Sequence, residues 1–305
     1  VIESWRGGFR GALLLTGQRF AGKTLFGELL ADAYFKHHII RLHPNSHFTL
    51  QGRKFETSYD LKEAFEFIKK YTPQEPTLIW LDDLENWWAP ECSYFRNGQA
   101  VKHFLDHQST MTFLMVSMGN ALRPRLNKLL DWSDLFQALI NLDRIGSSEV
   151  REAILLRHSA THQTLVNEKG DELTPGDFQK ITTSIYNAAN GNIGEALSEW
   201  SHSTNRVSDA QVRNDFKPGH TLPDFLDDDL AILLSSIMMQ RRTNEFRLRK
   251  FFGPAFSPKY SLLVRRMLII RVLVRGLDDW LEVNPVLVHE MGFLLERDGY
   301  IKYSH

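Results

Sequence analysis

The chain has 305 residues, enough for two or three domains, with 43% hydrophobic and 24% charged residues, the composition of an ordinary globular protein. Its 36 Lys and Arg against 37 Asp and Glu leave a net charge of -1, so no global field favours nucleic acid or membrane, and only local clusters can carry such an argument. Cys92 is the single cysteine, which excludes an internal disulfide and a multi-cysteine zinc site and suits a reducing cytosol.

No uninterrupted apolar run approaches the roughly 18 residues of a membrane span. The richest, Leu262 to Val274, is broken by Arg265, Arg266 and Arg271, and no signal peptide is legible. A cytoplasmic location is expected. Because the first residue is Val1 rather than Met, the chain is expected to be one part of a longer protein, whose preceding part is open to membrane attachment.

Ala12 to Thr16 is a short apolar run bounded by glycine, as a buried strand should be. Gly17-Gln18-Arg19-Phe20-Ala21-Gly22-Lys23-Thr24 follows and fits G-x-x-x-x-G-K-[ST], and Leu25 to Phe35 then has apolar residues at helical spacing. Strand, glycine turn and helix come in the order that aims backbone N–H groups and the positive end of a helix at a polyphosphate. Gly17 and Gly22 let the backbone come close to the phosphates, Lys23 reaches the β and γ oxygens, and the Thr24 hydroxyl holds Mg²⁺. Gly17 to Leu25 is therefore the expected cradle for ATP or ADP with Mg²⁺. By chance the four fixed positions coincide in roughly one chain in a hundred of this length, and the flanking strand and helix lower that further.

His37 to Leu42 reads as a second strand, with His37, His38, His43 and His47 around it. Lacking a nearby Cys or an H-E-x-x-H pattern, they read as strand-end and loop residues rather than as metal ligands. Tyr59 to Lys70 has the spacing of an amphipathic helix, stopped by Pro73 and Pro76, and Thr77 to Leu81 is an apolar strand finishing in Asp82-Asp83. Downstream of a full phosphate loop, Asp82 is expected to hold the Mg²⁺ shell. Asp83 either polarises the attacking water or caps a turn over Leu84 to Trp88, with Glu85 a substitute in the first role. Trp87 and Trp88 either pack in the core or form a contact surface. Asn97 to Gln108 reads as a helix and Met111 to Ser117 as a buried strand ending at Met118-Gly119-Asn120, where a polar side chain would lie beside the γ-phosphate. After Leu122-Arg123-Pro124-Arg125 and a short helical piece, Leu135 to Leu142 supplies a fifth strand. Alternating strands and helices predict an α/β fold, a parallel sheet with helices on both faces and ligands at the carboxyl ends of the strands, where Lys23, Asp82 and Asn120 fall.

This order of features resembles the AAA+ ATPases, with Walker A at 17–24, Walker B at 78–83, a sensor-1 Asn at 120 and an Arg-bearing segment before the fifth strand. The resemblance implies a P-loop NTPase core whose added strand places sensor 1 between the two Walker motifs. It also implies Lys23, Asp83 and Asn120 as catalytic residues, and a homo-oligomer in which Arg123 or Arg125 reaches a neighbour's site, although arginines there can equally pair with surface acids. One departure is Asp82-Asp83 where the family has Asp-Glu, whose shorter second side chain bears on efficient hydrolysis. Helix starts at Ser147-Ser148-Glu149 (running to about His162), Thr174-Pro175-Gly176-Asp177 and Asn192-Ile193-Gly194-Glu195 predict a small all-helical unit similar to the family's lid. Its last helix there begins G-[ND]-hydrophobic-Arg, the Arg being sensor 2, and here Gly194 stands at the Arg position.

Ser203 to Pro223 is polar and reads as a linker. Helices are then predicted over Asp229–Gln240, Asn244–Phe252 and Lys259–Arg275, a strand over Trp280–Val283, a helix over Pro285–Arg297 and a last strand over Tyr300–Tyr303. The series resembles the winged helix-turn-helix that follows the lid in the initiator branch of AAA+ and in STAND signalling ATPases. Between 241 and 275 ten basic residues face one acid, Glu245, a footprint that suits duplex DNA or an acidic partner protein. The expected domains are 1–146, the nucleotide-binding core; 147–202, the lid; 203–223, the linker; and 224–305, the winged helix. The expected function is a slowly hydrolysing ATP switch, or a STAND-like module with little turnover.

Overall fold

A computed structural model describes residues 1–36, 38–143, 145–217 and 226–303. The chain divides into two compact units, one of residues 1–16, 23–140 and 223–305, the other of 17–22 and 141–222.

The first unit opens with α1 (Ile2–Arg6), β1 (Ala12–Thr16), α2 (Lys23–Phe35) and β2 (Ile39–Leu42). It continues through β3 (His47–Leu50), β4 (Arg53–Glu56), α3 (Leu61–Lys70), β5 (Thr77–Leu81), α4 (Tyr94–Asp106), β6 (Thr112–Met118), α5 (Arg123–Leu130) and β7 (Ala138–Asn141). Five strands form a sheet in the order β2-β5-β6-β1-β7, with β2, β5, β6 and β1 paired in parallel. β6, which leads to Asn120, thus lies between β1, which leads to Lys23, and β5, which leads to Asp82. This is the P-loop NTPase sheet with the added strand that the AAA+ resemblance implies.

β1, β5 and β6 are buried at every position, as strands covered on both faces require. Leu13, Leu78, Trp80, Phe113 and Met115 face one side, where Trp5, Ala31 and Phe35 cover them. Ala12, Leu14, Ile79, Leu81, Leu114 and Val116 face the other, under Leu61, Phe65, Val101, Phe104 and Leu126. The apolar runs were legible because their strands are two-sided.

Differences from the sequence expectation are local. β3 and β4 form an antiparallel hairpin that was not anticipated, turned by Gln51 (φ 49°) and Gly52 (φ 73°). α4 begins at Tyr94 rather than Asn97 because the Ser93 side chain accepts from the Arg96 N–H. The fifth strand begins at Ala138, since Trp132–Leu135 is a 3-10 turn.

Asn97, fully buried in α4, ties three backbones together: Nδ2 donates to the Tyr59 and Trp87 carbonyls at 3.0 and 2.8 Å, and Oδ1 accepts from the Leu61 N–H at 3.1 Å. Asn97→Ala is expected to cost about 2–3 kcal/mol, because buried backbone groups lose partners that water cannot replace. A urea midpoint within the error of wild type would contradict this.

In the second unit α6 (Ser147–Ser159), β8 (Thr164–Leu165), α7 (Pro175–Ala188), α8 (Ile193–Ser203), β9 (Thr204–Arg206) and β10 (Gln211–Asn214) surround Val150, Ile154, Ile185, Ala196, Trp200 and Val212. Thr174 caps α7 and Asn192 caps α8, each accepting from an N–H three residues on. The unit is not all-helical: a three-stranded sheet, β8-β10-β9, lies within it. The stretch expected as a linker carries β9 and β10, because Asn214 Nδ2 is held by Trp200 O, Ser203 Oγ and Thr204 Oγ1. Residues 218–223 of that stretch lie outside the described residues.

The C-terminal part of the first unit holds α9 (Asp228–Met239), α10 (Glu245–Phe252), α11 (Ser261–Ile269), β11 (Leu273–Arg275), β12 (Leu281–Val283) and α12 (Val288–Arg297). Asp227 caps α9 and Asn244 caps α10. The third helix ends at Ile269, not Arg275: Arg271 is left-handed (φ 60°), and the chain turns into β11, which pairs antiparallel with β12. Thr243, between α9 and α10, bridges to Leu281. Residues 300–303 form no strand; Ile301 is buried as irregular chain. Trp87 is core, and Trp88 meets Phe251 edge-on at 5.8 Å. No helix of the described residues is long and apolar enough to cross a membrane.

Candidate functional site

The strand register brings the carboxyl ends of β1, β5 and β6 level, Thr16 opposite Met118 and Leu81 opposite Val116. Asp82 and Ser117, one residue on, therefore meet: Ser117 Oγ donates to Asp82 Oδ1 at 2.6 Å, and the Asp83 N–H donates to Ser117 Oγ at 2.9 Å. Arg41, opposite Trp80 in the register of β2 on β5, lies over that ring at 4.2 Å and places Nη2 2.5 Å from Asp82 Oδ2. Asp82 is thus a buried carboxyl group with one neutral and one charged donor on it.

Asp83 departs from its neighbour. Its backbone is left-handed (φ 49°, ψ 72°), its side chain makes no capping bond to the 3-10 turn Leu84–Trp87, and its carboxylate pairs with Arg241, itself left-handed at φ 60° just past α9. Of the two roles left open for Asp83, the cap is absent. The turn instead carries Glu85 inward: Glu85 is buried, and Oε2 accepts from the Gly119 N–H at 3.1 Å. Burial pushes its carboxyl above the usual carboxylate range, Lys23 pulls it back and Asp82 adds to the rise. Tyr94 donates its hydroxyl to the Glu85 carbonyl at 2.8 Å, and burial pushes that phenol well above the usual range. Lys23, at the start of α2, is only 7% exposed, and Asn120 is 1% exposed. Arg123 and Arg125 stand in the first turn of α5.

The glycine loop itself, residues 17–22, is built within the second unit. The Gln18 N–H donates to the Asp143 carboxylate, Asn192 Nδ2 donates to the Arg19 carbonyl at 2.8 Å, and Phe20 (φ 67°) and Gly22 (φ 89°) turn the chain in left-handed conformations. Gly194, in the first turn of α8, lies against the loop. A Cβ there would stand 2.7 Å from Phe20 Cβ and closer still to the Phe20 carbonyl oxygen. A side chain at position 194 would therefore clash with Phe20 in this arrangement.

The residues present fit a magnesium nucleotide. A buried lysine opens a 13-residue helix, the end of a helix that attracts anions. The Thr24 hydroxyl and the Asp82 carboxylate are hard oxygen donors of the kind Mg²⁺ takes, and a carboxylate has about four acceptor positions, of which Ser117 and Arg41 use two. Sequence reasoning did not single out Ser117, Arg41, Arg241 or Asp143. Only Ser117, a polar residue at the end of an apolar strand, carried a legible signal.

No protein-family model matches the chain, and no curated protein matches it. Among solved structures it is similar to Cdc6p from Pyrobaculum aerophilum, at 13% identity over 97% of this chain and 92% of that one, with a TM-score of 0.38. It is also similar to RuvB from Thermotoga maritima (14% identity, 94% and 90% covered, TM-score 0.45) and to the FIGL-1 AAA domain in complex with ADP (13%, 62% and 64%, TM-score 0.36). At these values it is the strand order and the phosphate loop of this chain, not the likenesses, that define its fold.

Proposed function

We propose that the chain binds Mg·ATP and Mg·ADP, and that it hydrolyses ATP slowly, as a nucleotide-dependent switch. The observation that supports this most is the complete phosphate-loop sequence leading into buried Lys23, on a sheet whose order sets Asp82 and Asn120 at the same strand ends. In this reading the loop from Gly17 to Leu25 cradles the phosphates, Lys23 neutralises the β and γ oxygens, Thr24 and Asp82 would hold the magnesium, and Asn120 orients the attacking water. Bound magnesium supplies charge neutralisation between the β- and γ-phosphates. Residues 1–146, 147–202 and 224–305 act as core, lid and winged helix in the same proposal.

Slow turnover follows from Gly194, which removes one arginine, and from a second arginine, Arg123 or Arg125, that a neighbouring copy would supply. An arginine given in trans is worth roughly 10³ or more in rate. Turnover per chain is thus expected to rise with protein concentration; a fast rate independent of concentration would contradict it.

One observation favours contact with a protein partner over DNA for residues 224–305. The helix order, the β11–β12 pair and the bridge from Thr243 support a winged helix, but much of its basic cluster is engaged within the fold. Arg241 pairs with Asp83, Arg247 donates to the Trp88 carbonyl and stacks on Tyr59 and Trp280, Lys259 pairs with Asp229, and Arg275 pairs with Glu245 and Asp279. Arg265 and Arg266 remain exposed on α11 beside exposed Leu262 and Ile269, a mixed apolar and cationic face. Titration with duplex DNA at about 50 mM salt, where nonspecific phosphate contacts are strong, is expected to show no binding. Binding that falls steeply with salt, and less steeply after charge reversal at Arg266 and Arg271, would restore the DNA reading.

A further inference from the structure

The two acids that follow Asp82 are separated by their surroundings. Asp83, as buried as Glu85, has a left-handed backbone, and its carboxylate is engaged by Arg241. That pair belongs to a set of contacts fixing residues beyond 226 to the end of β5. Arg247 Nη1 donates to the Trp88 carbonyl at 2.9 Å, Trp88 packs on Phe251, and the Tyr94 hydroxyl, 2.8 Å from the Glu85 carbonyl, lies 3.3 Å from the Met239 carbonyl. Asp83 has the environment of a structural anchor.

Glu85 has the environment of a working acid. Its side chain is buried at the carboxyl edge of the sheet, held by the N–H of Gly119, the residue before Asn120, and sits within the fields of Lys23 and Asp82. A buried carboxylate is costly, and desolvation favours an apolar residue in its place, so a carboxylate kept here points to a task. The 3-10 turn, held through Asn97 on the Trp87 carbonyl and through Tyr94 on the Glu85 carbonyl, fixes where that carboxylate points. Sequence adjacency to Asp82 would select Asp83; the backbone turn selects the residue two further on.

We propose that Glu85, not Asp83, is the carboxylate that activates the attacking water, and that Asp83 is a positioning residue which, through Arg241, fixes the C-terminal helices on the turn bearing Glu85. This rests on the ATP-hydrolysis reading above. The water oxygen bonds to the γ-phosphorus as the bond to the β–γ bridging oxygen breaks, the electron pair of that bond leaving on ADP. The water's proton is accepted by Glu85 and passed to the released phosphate.

The test uses the full chain as wild type, Glu85→Gln, Glu85→Asp, Asp83→Asn and Arg241→Ala, with Mg·ATP affinity by calorimetry, single-turnover hydrolysis at excess protein, and melting temperature. Glu85→Gln is expected to lower the single-turnover rate by about 10²-fold or more, the usual worth of a general base, with Mg·ATP still bound. Glu85→Asp keeps the charge but withdraws the carboxylate by one methylene, so it serves if Glu85→Gln does not fold, and it too is expected to lose most of the rate. Asp83→Asn and Arg241→Ala are expected to lower the melting temperature by similar amounts, with rates within about tenfold of wild type, as a positioning contact rather than a general base would give. Loss of rate in Asp83→Asn with retention in Glu85→Gln, or equal losses in both, would overturn the assignment. So would a wild type that binds Mg·ATP yet releases no phosphate, although nucleotide binding would then stand. Absence of binding in wild type would instead refute the nucleotide reading itself.

Discussion

Lys23→Ala is expected to remove most of the thermal stabilisation that Mg·ADP or Mg·ATP gives the wild-type chain. Lys23 is 7% exposed at the first position of α2, so its cation acts in a medium of low effective dielectric, where one charge on a phosphate counts for more than at a surface. Truncating one partner of a buried charge pair costs about 2–5 kcal/mol, roughly 30- to 5,000-fold in Kd. A ligand at one hundred times its Kd stabilises by about 2.7 kcal/mol, and a 10²-fold loss of affinity at the same concentration removes most of that. Because Lys23 also lies within reach of the Glu85 charge, the unliganded variant has its own melting temperature, and each protein is compared with itself. Equal ligand-induced shifts in the two proteins would refute the assignment of Lys23.

Gly194→Arg, which restores the residue the AAA+ resemblance places there, is expected to harm the protein rather than activate it. The added Cβ alone stands 2.7 Å from Phe20 Cβ, so α8 or the phosphate loop must shift. Overpacking of this kind costs typically about 1–3 kcal/mol. The displaced loop also carries the Arg19 carbonyl that Asn192 holds and the Gln18 N–H that Asp143 accepts, so nucleotide affinity is expected to fall with stability. Gly194→Ala separates the Cβ from the guanidinium and is expected to show most of the same loss. A Gly194→Arg protein with an unchanged melting temperature and faster turnover would show that position 194 is a vacant sensor rather than a contact.

What the sequence made legible follows from the range of the interactions involved. The phosphate loop and the strands before Gly17, Asp82 and Gly119 are set by glycine positions and continuous apolar runs, both local signals, whereas the order of the strands in the sheet was expected only from the AAA+ resemblance. The β3–β4 hairpin was missed because its turn is Gln51-Gly52, a weaker signal than Asn-Gly for the same left-handed pair. The β9–β10 hairpin was missed because its strands are short and polar, so that composition alone reads as loop. α11 read too long because its apolar spacing runs on past Ile269, where the left-handed Arg271 ends it. At the site, the departure of Asp83 from Asp82 depends on Arg241, more than 150 positions away, and the clash that a side chain at position 194 would make depends on Phe20. No local pattern encodes either pairing.

The most direct measurement is a calorimetric titration of the wild-type chain with ADP and with ATP, each in the presence and absence of Mg²⁺. Saturable binding at one nucleotide per chain, tighter with Mg²⁺ and competitive between ADP and ATP, is the predicted result. No heat and no change in melting temperature at millimolar nucleotide, in a protein shown to be folded, would contradict the account.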